Sequence, residues 1–307
     1  MIGEAVKEAL QRFIPTENIL YMEPMSKHTT FCVGGTADCF IKITDKGQLS
    51  PLLRYLNLVE IPYFIMGKGS NLLVSDQGYP GIIIQLSMTE IKVEGCRLYA
   101  CAGALLSKVA KTACEYGLTG LEFAAGIPGT VGGGVVMNAG AYDGEMKMVV
   151  ESVTVLDREG NELNLNNETM EFGYRTSVIK NNPFIVTECC FLLKEGDQNV
   201  ISAKIEDFQK RRKEKQPLEY PSAGSTFKRP EGYYAGKLIM DAGLQGTKIG
   251  GAQVSLKHSG FIINTGDATA DDISRLIAYV QEEVYNQFSV RLEPEVIFLG
   301  KFNNRVL

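Results

Sequence analysis

Two glycine-rich loops hold the residue types best suited to gripping a phosphate. The longer is Gly126–Gly144, GIPGTVGGGVVMNAGAYDG, with seven glycines in nineteen residues and Asp143 as its only charge. Glycine admits positive φ and lets a ligand press directly on the main chain. Pro128 fixes its own φ and removes a donor. So dense a glycine run is expected to be neither helix nor strand, and its exposed N–H groups suit a phosphate or diphosphate. The shorter loop, Gly67-Lys68-Gly69-Ser70-Asn71, follows the apolar run Ile61–Met66. Two such loops after apolar runs suggest one dinucleotide held between them; glycine turns that serve only packing are the alternative. Three further polar residues sit in apolar or tightly turned surroundings: Arg175 in FGYRTS, Ser225 in AGSTFK and Glu295 in LEPEVIF. Each has a structural reading as well: a hairpin clamp, a turn serine and a glutamate paired in a strand.

The elements that must position these residues read as strands in the majority. An amphipathic helix opens the chain, with Ile2, Ala5, Val6, Ala9, Leu10 and Phe13 at helical spacing. Ser50-Pro51 reads as an N-cap and first helical residue, with Leu52, Leu53, Leu56 and Val59 as the apolar stripe. Leu105–Tyr116 reads as a helix closed by Gly117. Val149–Leu156 and Glu162–Leu165 form a hairpin around Asp157-Arg158-Glu159-Gly160, and Phe184–Leu193 is a further strand. Val200–Lys215 is a helix ending in Lys210-Arg211-Arg212-Lys213, a run read as a solvated helix end or a face for an anionic substrate. Thr269-Ala270-Asp271-Asp272 opens a helix whose face is Ile273, Leu276, Ile277, Val280, Val284 and Phe288. Val290–Leu299 is the closing strand. The order is not a regular βαβ alternation, and Gly67, Gly69 and Leu72 miss the GxGxxG spacing, so a nicotinamide-binding Rossmann domain is disfavoured.

Composition excludes several classes of function. Apolar residues make up 45% of the 307, enough for a full core. A net charge of −5, from 31 basic and 36 acidic residues without a long basic block, argues against a nucleic-acid binder. No apolar run approaches the roughly 18 residues of a membrane span, and the acidic N-terminal helix is no signal peptide. Seven cysteines, without CxxC, fit a reducing cytoplasm. Two histidines without ligand spacing give no expectation of a metal. His28, alone in a loop, is expected to be structural rather than a catalytic base.

Taken together, the motifs resemble the flavin-dependent UDP-N-acetylenolpyruvoylglucosamine reductases of peptidoglycan synthesis. The matching pieces, in the family's order, are TTFCVGG from Thr29, Met66-Gly67-Lys68-Gly69-Ser70-Asn71-Leu72, Gly126-Ile127-Pro128-Gly129-Thr130-Val131-Gly132-Gly133, Asn138-Ala139-Gly140-Ala141-Tyr142, Tyr174-Arg175-Thr176-Ser177, GSTFK from Gly224 and LEPEV from Leu292. Other flavin oxidases would share the glycine loops; the Tyr-Arg, Gly-Ser and Pro-Glu pieces are specific to the reductase. The resemblance implies an α+β chain: a two-subdomain FAD-binding fold like that of vanillyl-alcohol oxidase, then an α+β substrate-binding domain. The expected bounds are 1–198, with subdomains near 1–80 and 81–198, and 199–307.

It implies FAD on the loop residues just named and NADPH as reductant. UDP-N-acetylglucosamine enolpyruvate is the implied substrate, and no nucleic acid, membrane or protein partner is. Ser225 matches the proton donor to C2 of the enolpyruvyl group. Arg175 and Glu295 match the pair that stabilises the enolate-like intermediate. Tyr174, Lys215, Lys228 and Arg229 are the expected substrate contacts. Arg229 stands where many relatives carry Asn, and an added cation there suits the substrate diphosphate. Only eight residues separate Arg175 from Phe184, too few for the tyrosine-bearing loop that divides the family, so the chain resembles the shorter type. Ser70-Asn71 stand where related oxidases tether flavin through histidine, so non-covalent FAD is expected. A sugar or aldonolactone oxidase of the same fold and a non-catalytic nucleotide-binding module are the competing functions.

Overall fold

The apolar runs of the sequence sort into two hydrophobic cores. In the computed structural model, which describes residues 2–302, one core is built on residues such as Leu52, Ile84, Val109, Val153 and Phe191. The other is built on Phe31, Leu73, Val254, Ile277 and Val280. The chain accordingly groups into a first unit of residues 1–21, 39–68 and 81–212 and a second of 22–38, 69–80 and 213–307. The last five residues of the expected second domain lie outside the described residues.

The expected division into consecutive stretches, 1–198 and 199–307, differs from this grouping. Segments 22–38 and 69–80 are locked to each other and to the C-terminal part by main-chain contacts. A Cβ on Gly35 would lie 2.2 Å from the Asp76 carbonyl oxygen. Asn264 Nδ2 donates to the Phe31 carbonyl at 3.0 Å. Strand Leu72–Val74 pairs in parallel with Ile297–Leu299. The last two contacts join residues more than two hundred positions apart, and no local pattern encodes them.

The first unit is organised by a five-stranded antiparallel sheet in the order Glu162–Asn166, Val150–Leu156, Ile185–Leu192, Arg97–Cys101 and Ile91–Glu94. Ile185–Leu192 is central and mostly buried, with Thr187 and Glu188 as its only polar residues. The helix Val131–Val136 packs on it, and Leu106–Glu115 packs on the turn Glu122–Gly126. In a second sheet of this unit, Tyr63–Met66 runs parallel to Tyr79–Leu86. Its helix, Lys46–Leu58, begins earlier than Ser50-Pro51 suggested. Asp45 and Gln48 form a capping box, with Asp45 Oδ1 accepting from Gly47 N at 2.7 Å. Pro51 is therefore inside the helix, and Ser50 Oγ donates instead to the Gly160 carbonyl at 2.7 Å.

Glu122, buried at the start of the turn into the longer glycine loop, accepts from Thr119 Oγ1 at 2.5 Å and Gly120 N at 2.9 Å. Burial opposes its ionisation, but these hydrogen bonds and Lys204, 3.9 Å away, outweigh it and hold the carboxyl below its ordinary value.

The second unit sets the three antiparallel strands Lys248–Ile249, Ala252–Val254 and Ile262–Asn264 against helix Ala270–Phe288. Of the expected stripe, Ile273, Leu276, Ile277, Val280 and Val284 are fully buried and Phe288 is partly buried. Thr269 and Asp272 make the expected capping box. Asp76 adds two acceptors, from Ala270 N at 2.9 Å and Asp271 N at 2.8 Å. The closing strand is shorter than expected, Ile297–Leu299 only, because Pro294 has no N–H for a ladder and Glu295 turns its own N–H elsewhere. No helix among the described residues is long and apolar enough to cross a membrane.

Two measurements check this account. Asp76→Ala leaves two helix-terminal N–H groups without acceptors and lowers unfolding stability by about 1 kcal/mol in urea titrations. Because the folded pKa of Glu122 is depressed, its contribution is present above the unfolded pKa and disappears as pH falls through the folded one. The urea midpoint of wild-type protein therefore drops more steeply on acidification than that of Glu122→Gln; identical pH profiles would contradict the assignment.

Candidate functional site

The longer glycine loop is not irregular throughout. Its Val131–Val136 portion is a helix, capped by Thr130, whose Oγ1 accepts from Gly133 N at 3.5 Å. The glycines make this possible by allowing close packing. A Cβ on Gly132 would lie 3.0 Å from Ala102 Cβ, and one on Gly134 would lie 3.1 Å from Leu106 Cδ1. At Gly132 and Gly134 the missing side chain serves packing. Beyond the helix, Asn138 takes φ of 42°, and Gly140–Ala141 pairs with Gly144–Glu145 in a tight hairpin.

Within the first unit the two glycine loops meet. A Cβ on Gly67 would fall 2.2 Å from Thr130 Oγ1, so Thr130 occupies the space a side chain at position 67 would need. Gln85 Nε2 fixes the Gly67 carbonyl at 2.9 Å, and Met66 is buried at the end of its strand. The Tyr-Arg motif is seated on the same loop. Asn138 Nδ2 donates to the Gly173 carbonyl at 3.0 Å, and Ser177 Oγ donates to the Val136 carbonyl at 2.9 Å. Arg175, itself at φ of 56°, reaches the Gly140 carbonyl with Nη2 at 3.4 Å. Its guanidinium lies 5.3 Å from the ring centroid of Tyr174, which is exposed. Asn138 thus works through its side chain as a brace for the arginine turn, a role its place in the motif did not reveal.

Helix Gln198–Lys215 docks on this loop. Tyr142 stacks on Phe208 with centroids 4.4 Å apart and donates from its hydroxyl to the Phe208 carbonyl at 3.0 Å. One turn on, Arg212 lies over Gly126: a Cβ there would be 3.2 Å from Arg212 Cδ. The basic run is therefore not uniformly solvated. Lys210 and Lys213 are exposed, Arg211 pairs with Asp207 at 2.8 Å, and Arg212 turns inward. The spacing Phe208 to Arg212, one helical turn on the buried face, was the available signal.

In the second unit, Thr226, fully buried, fixes the candidate proton donor beside it. Its N–H donates to the Gly260 carbonyl at 2.8 Å, its Oγ1 accepts from Ile262 N at 3.1 Å, and its carbonyl accepts from Glu295 N at 2.8 Å. Phe227 and Pro294 form an antiparallel bridge, and Lys228 N donates to the Glu293 carbonyl at 2.8 Å. Ser225, exposed after Gly224 at φ of 77°, is therefore brought to the segment carrying Glu295. Asn71, from the shorter glycine loop, completes the arrangement: its Nδ2 donates to the Glu295 carbonyl at 3.0 Å, and its carbonyl accepts from Ile297 N at 2.9 Å. Lys228 Nζ is paired with Glu293. Arg229 donates from Nε to the Tyr233 carbonyl at 3.3 Å, with its guanidinium 4.0 Å from the Tyr234 ring centroid. Lys215 is exposed at the end of its helix. His28 contacts Glu23 at 3.0 Å. Arg175 belongs to the first unit, Ser225 and Glu295 to the second.

Two family models match consecutive stretches of the chain. Residues 37–166 match the family model described as FAD binding domain, and residues 216–299 match that of the UDP-N-acetylenolpyruvoylglucosamine reductase C-terminal domain. The UDP-N-acetylenolpyruvoylglucosamine reductase of Caldanaerobacter subterraneus subsp. tengcongensis is 50% identical over 98% of this chain and 100% of its own. That of Clostridium botulinum is 52% identical over 95% of both chains. The crystal structure of UDP-N-acetylenolpyruvylglucosamine reductase from Thermus caldophilus, 36% identical, superposes with a TM-score of 0.80 over 91% of this chain and 98% of that one.

The loop contact makes a sharp test. Gly67→Ala drives a methyl group into Thr130 and displaces both loops, so the purified variant loses most of its bound flavin, read from its visible absorbance. Adding Thr130→Gly to the variant reopens the space and recovers part of the flavin. A single variant as yellow as wild type would show that the contact does not matter.

Proposed function

The chain belongs to the UDP-N-acetylenolpyruvoylglucosamine reductases, flavin-dependent oxidoreductases of the α+β fold, and we propose that it reduces UDP-N-acetylglucosamine enolpyruvate to UDP-N-acetylmuramate at the expense of NADPH. It is of the family's shorter type, without the tyrosine loop. The reaction supplies a precursor of peptidoglycan in the cytoplasm. The observation that carries the reading is the pairing of Thr226 with Glu295, which places the hydroxyl of the Gly-Ser motif and the carboxyl of the Pro-Glu motif on two adjoining segments.

The residues present fit a flavin dinucleotide. Gly67 offers bare main chain because Thr130 takes the place of its side chain, and Gly126 offers the same. Met66-Gly67-Lys68-Gly69-Ser70-Asn71-Leu72, Gly126–Thr130, Gly132, Gly133 and Asn138–Tyr142 would hold FAD, without a covalent tether. When bound, FAD would supply the hydride, drawn from NADPH, that reduces C3 of the enolpyruvyl group. Negative charge then develops on C2 and the substrate carboxylate. Arg175 counters that charge, which a guanidinium held in advance does without reorganisation. Glu295, whose backbone is fixed at both N–H and carbonyl, supplies the second group that stabilises this intermediate. Ser225 gives its proton to C2. A serine hydroxyl is a weak acid, so it donates only to a strongly basic carbanion such as this one. Tyr174, Lys215, Lys228 and Arg229 contact the substrate. The platform of Arg229 on Tyr234 stiffens a cation suited to the diphosphate.

The half-reactions separate these roles. Ser225→Ala is bleached by NADPH at the wild-type rate, whereas its reoxidation by the enolpyruvyl substrate is slowed by about 10²–10⁴-fold. Stopped-flow absorbance of the flavin reads both steps, and equal reoxidation rates in variant and wild type exclude the serine as proton donor.

A further inference from the structure

Arg212 is a cation without an evident purpose in the protein alone. It lies on the inward face of helix Gln198–Lys215, one turn beyond Phe208. Its Cδ and Nη1 would be 3.2 and 3.3 Å from a Cβ on Gly126, so the side chain lies directly on the backbone of the longer glycine loop. Its Nε is buried with no hydrogen-bond partner. Burial lowers its pKa, and no carboxylate among the described residues offsets that effect. Its neighbour Arg211, by contrast, is exposed and paired with Asp207. A partly buried guanidinium with an orphaned donor is costly unless an anion completes it. Evolution of a merely solvated helix end would need neither the burial nor the glycine beneath it. The planar fork of an arginine suits a diphosphate, which it grips through two parallel N–H donors.

We propose that Arg212 is a binding residue for the diphosphate of the dinucleotide held at the Gly126–Thr130 loop. The proposal rests on the reading that this chain binds FAD. Docking of the helix through Tyr142 and Phe208 sets the guanidinium in advance, so the anion orders little that is not already ordered. Gly126 has no side chain because the guanidinium and the bare backbone must face the ligand together.

The proposal predicts opposite effects on binding and stability. Arg212→Gln removes a charge-assisted contact, and FAD affinity, measured by quenching of flavin fluorescence on titration of the flavin-stripped full-length protein, falls by at least about tenfold. Arg212→Lys, which keeps the charge, recovers part of that loss. Arg211→Gln binds FAD as wild type does. The midpoint potential of the bound flavin is unchanged in Arg212→Gln at saturating FAD, because the contact is to the diphosphate and not to the ring. Without flavin, Arg212→Gln melts no lower than wild type, since an uncompensated charge has been removed; a purely structural arginine would give a lower melting temperature. Wild-type FAD affinity in Arg212→Gln, an equal loss in Arg211→Gln, or a shifted potential with affinity intact overturns the assignment. Wild-type protein that binds no FAD at all would instead sink the underlying flavin reading, and the two failures are therefore distinguishable.

Discussion

The carbonyl of Thr226 accepts the amide of Glu295, and the chemistry assigned to the second unit depends on that bond. It closes a short antiparallel pairing of residues 226–228 with 293–295. The pairing is possible because Pro294 and Glu295 leave the strand that follows. Its neighbours hold it rigid: Gly260 and Ile262 fix Thr226 on one side, and Asn71 fixes Glu295 on the other. Each is a main-chain or buried contact, so a change at any of them moves Ser225 or Glu295 without touching either side chain.

The first unit meets a different constraint, close approach to glycine main chain. Thr130 fills the space beside Gly67, and Arg212 lies over Gly126. Between these points the glycines of Val131–Val136 let a helix approach Ala102 and Leu106 closely. One glycine-rich stretch thus packs tightly in its middle and is crowded by neighbouring side chains at its margins. Asn138 links the stretch to the arginine turn by holding the Gly173 carbonyl. The loop and the Arg175 turn are thereby built as one piece.

Much of the secondary structure was legible because it follows from local rules. The helix Ala270–Phe288 shows its cap in Thr269 and Asp272 and its buried face at a spacing of three and four. The hairpin of Val150–Leu156 with Glu162–Asn166 shows its turn in Asp157–Gly160. Where local signals competed, the reading slipped. Ser50-Pro51 looked like a helix start, yet the reciprocal bonds of Asp45 and Gln48 determine the start five residues earlier. Glycine density suggested an irregular loop at Val131–Val136, yet tight packing against Ala102 makes a helix there favourable.

By itself the sequence determined most of the elements and the family, since motif order and residue type are local properties that relatives share along the whole chain. Only the tertiary structure decided that residues 22–38 and 69–80 join the C-terminal part, that Asn71 holds Glu295, that Asn138 braces the arginine turn and that Arg212 faces Gly126. The reason is physical. Each of these rests on contacts between segments tens to hundreds of residues apart, whose energy comes from burial and main-chain pairing, and neither leaves a periodic mark on the residues that make it.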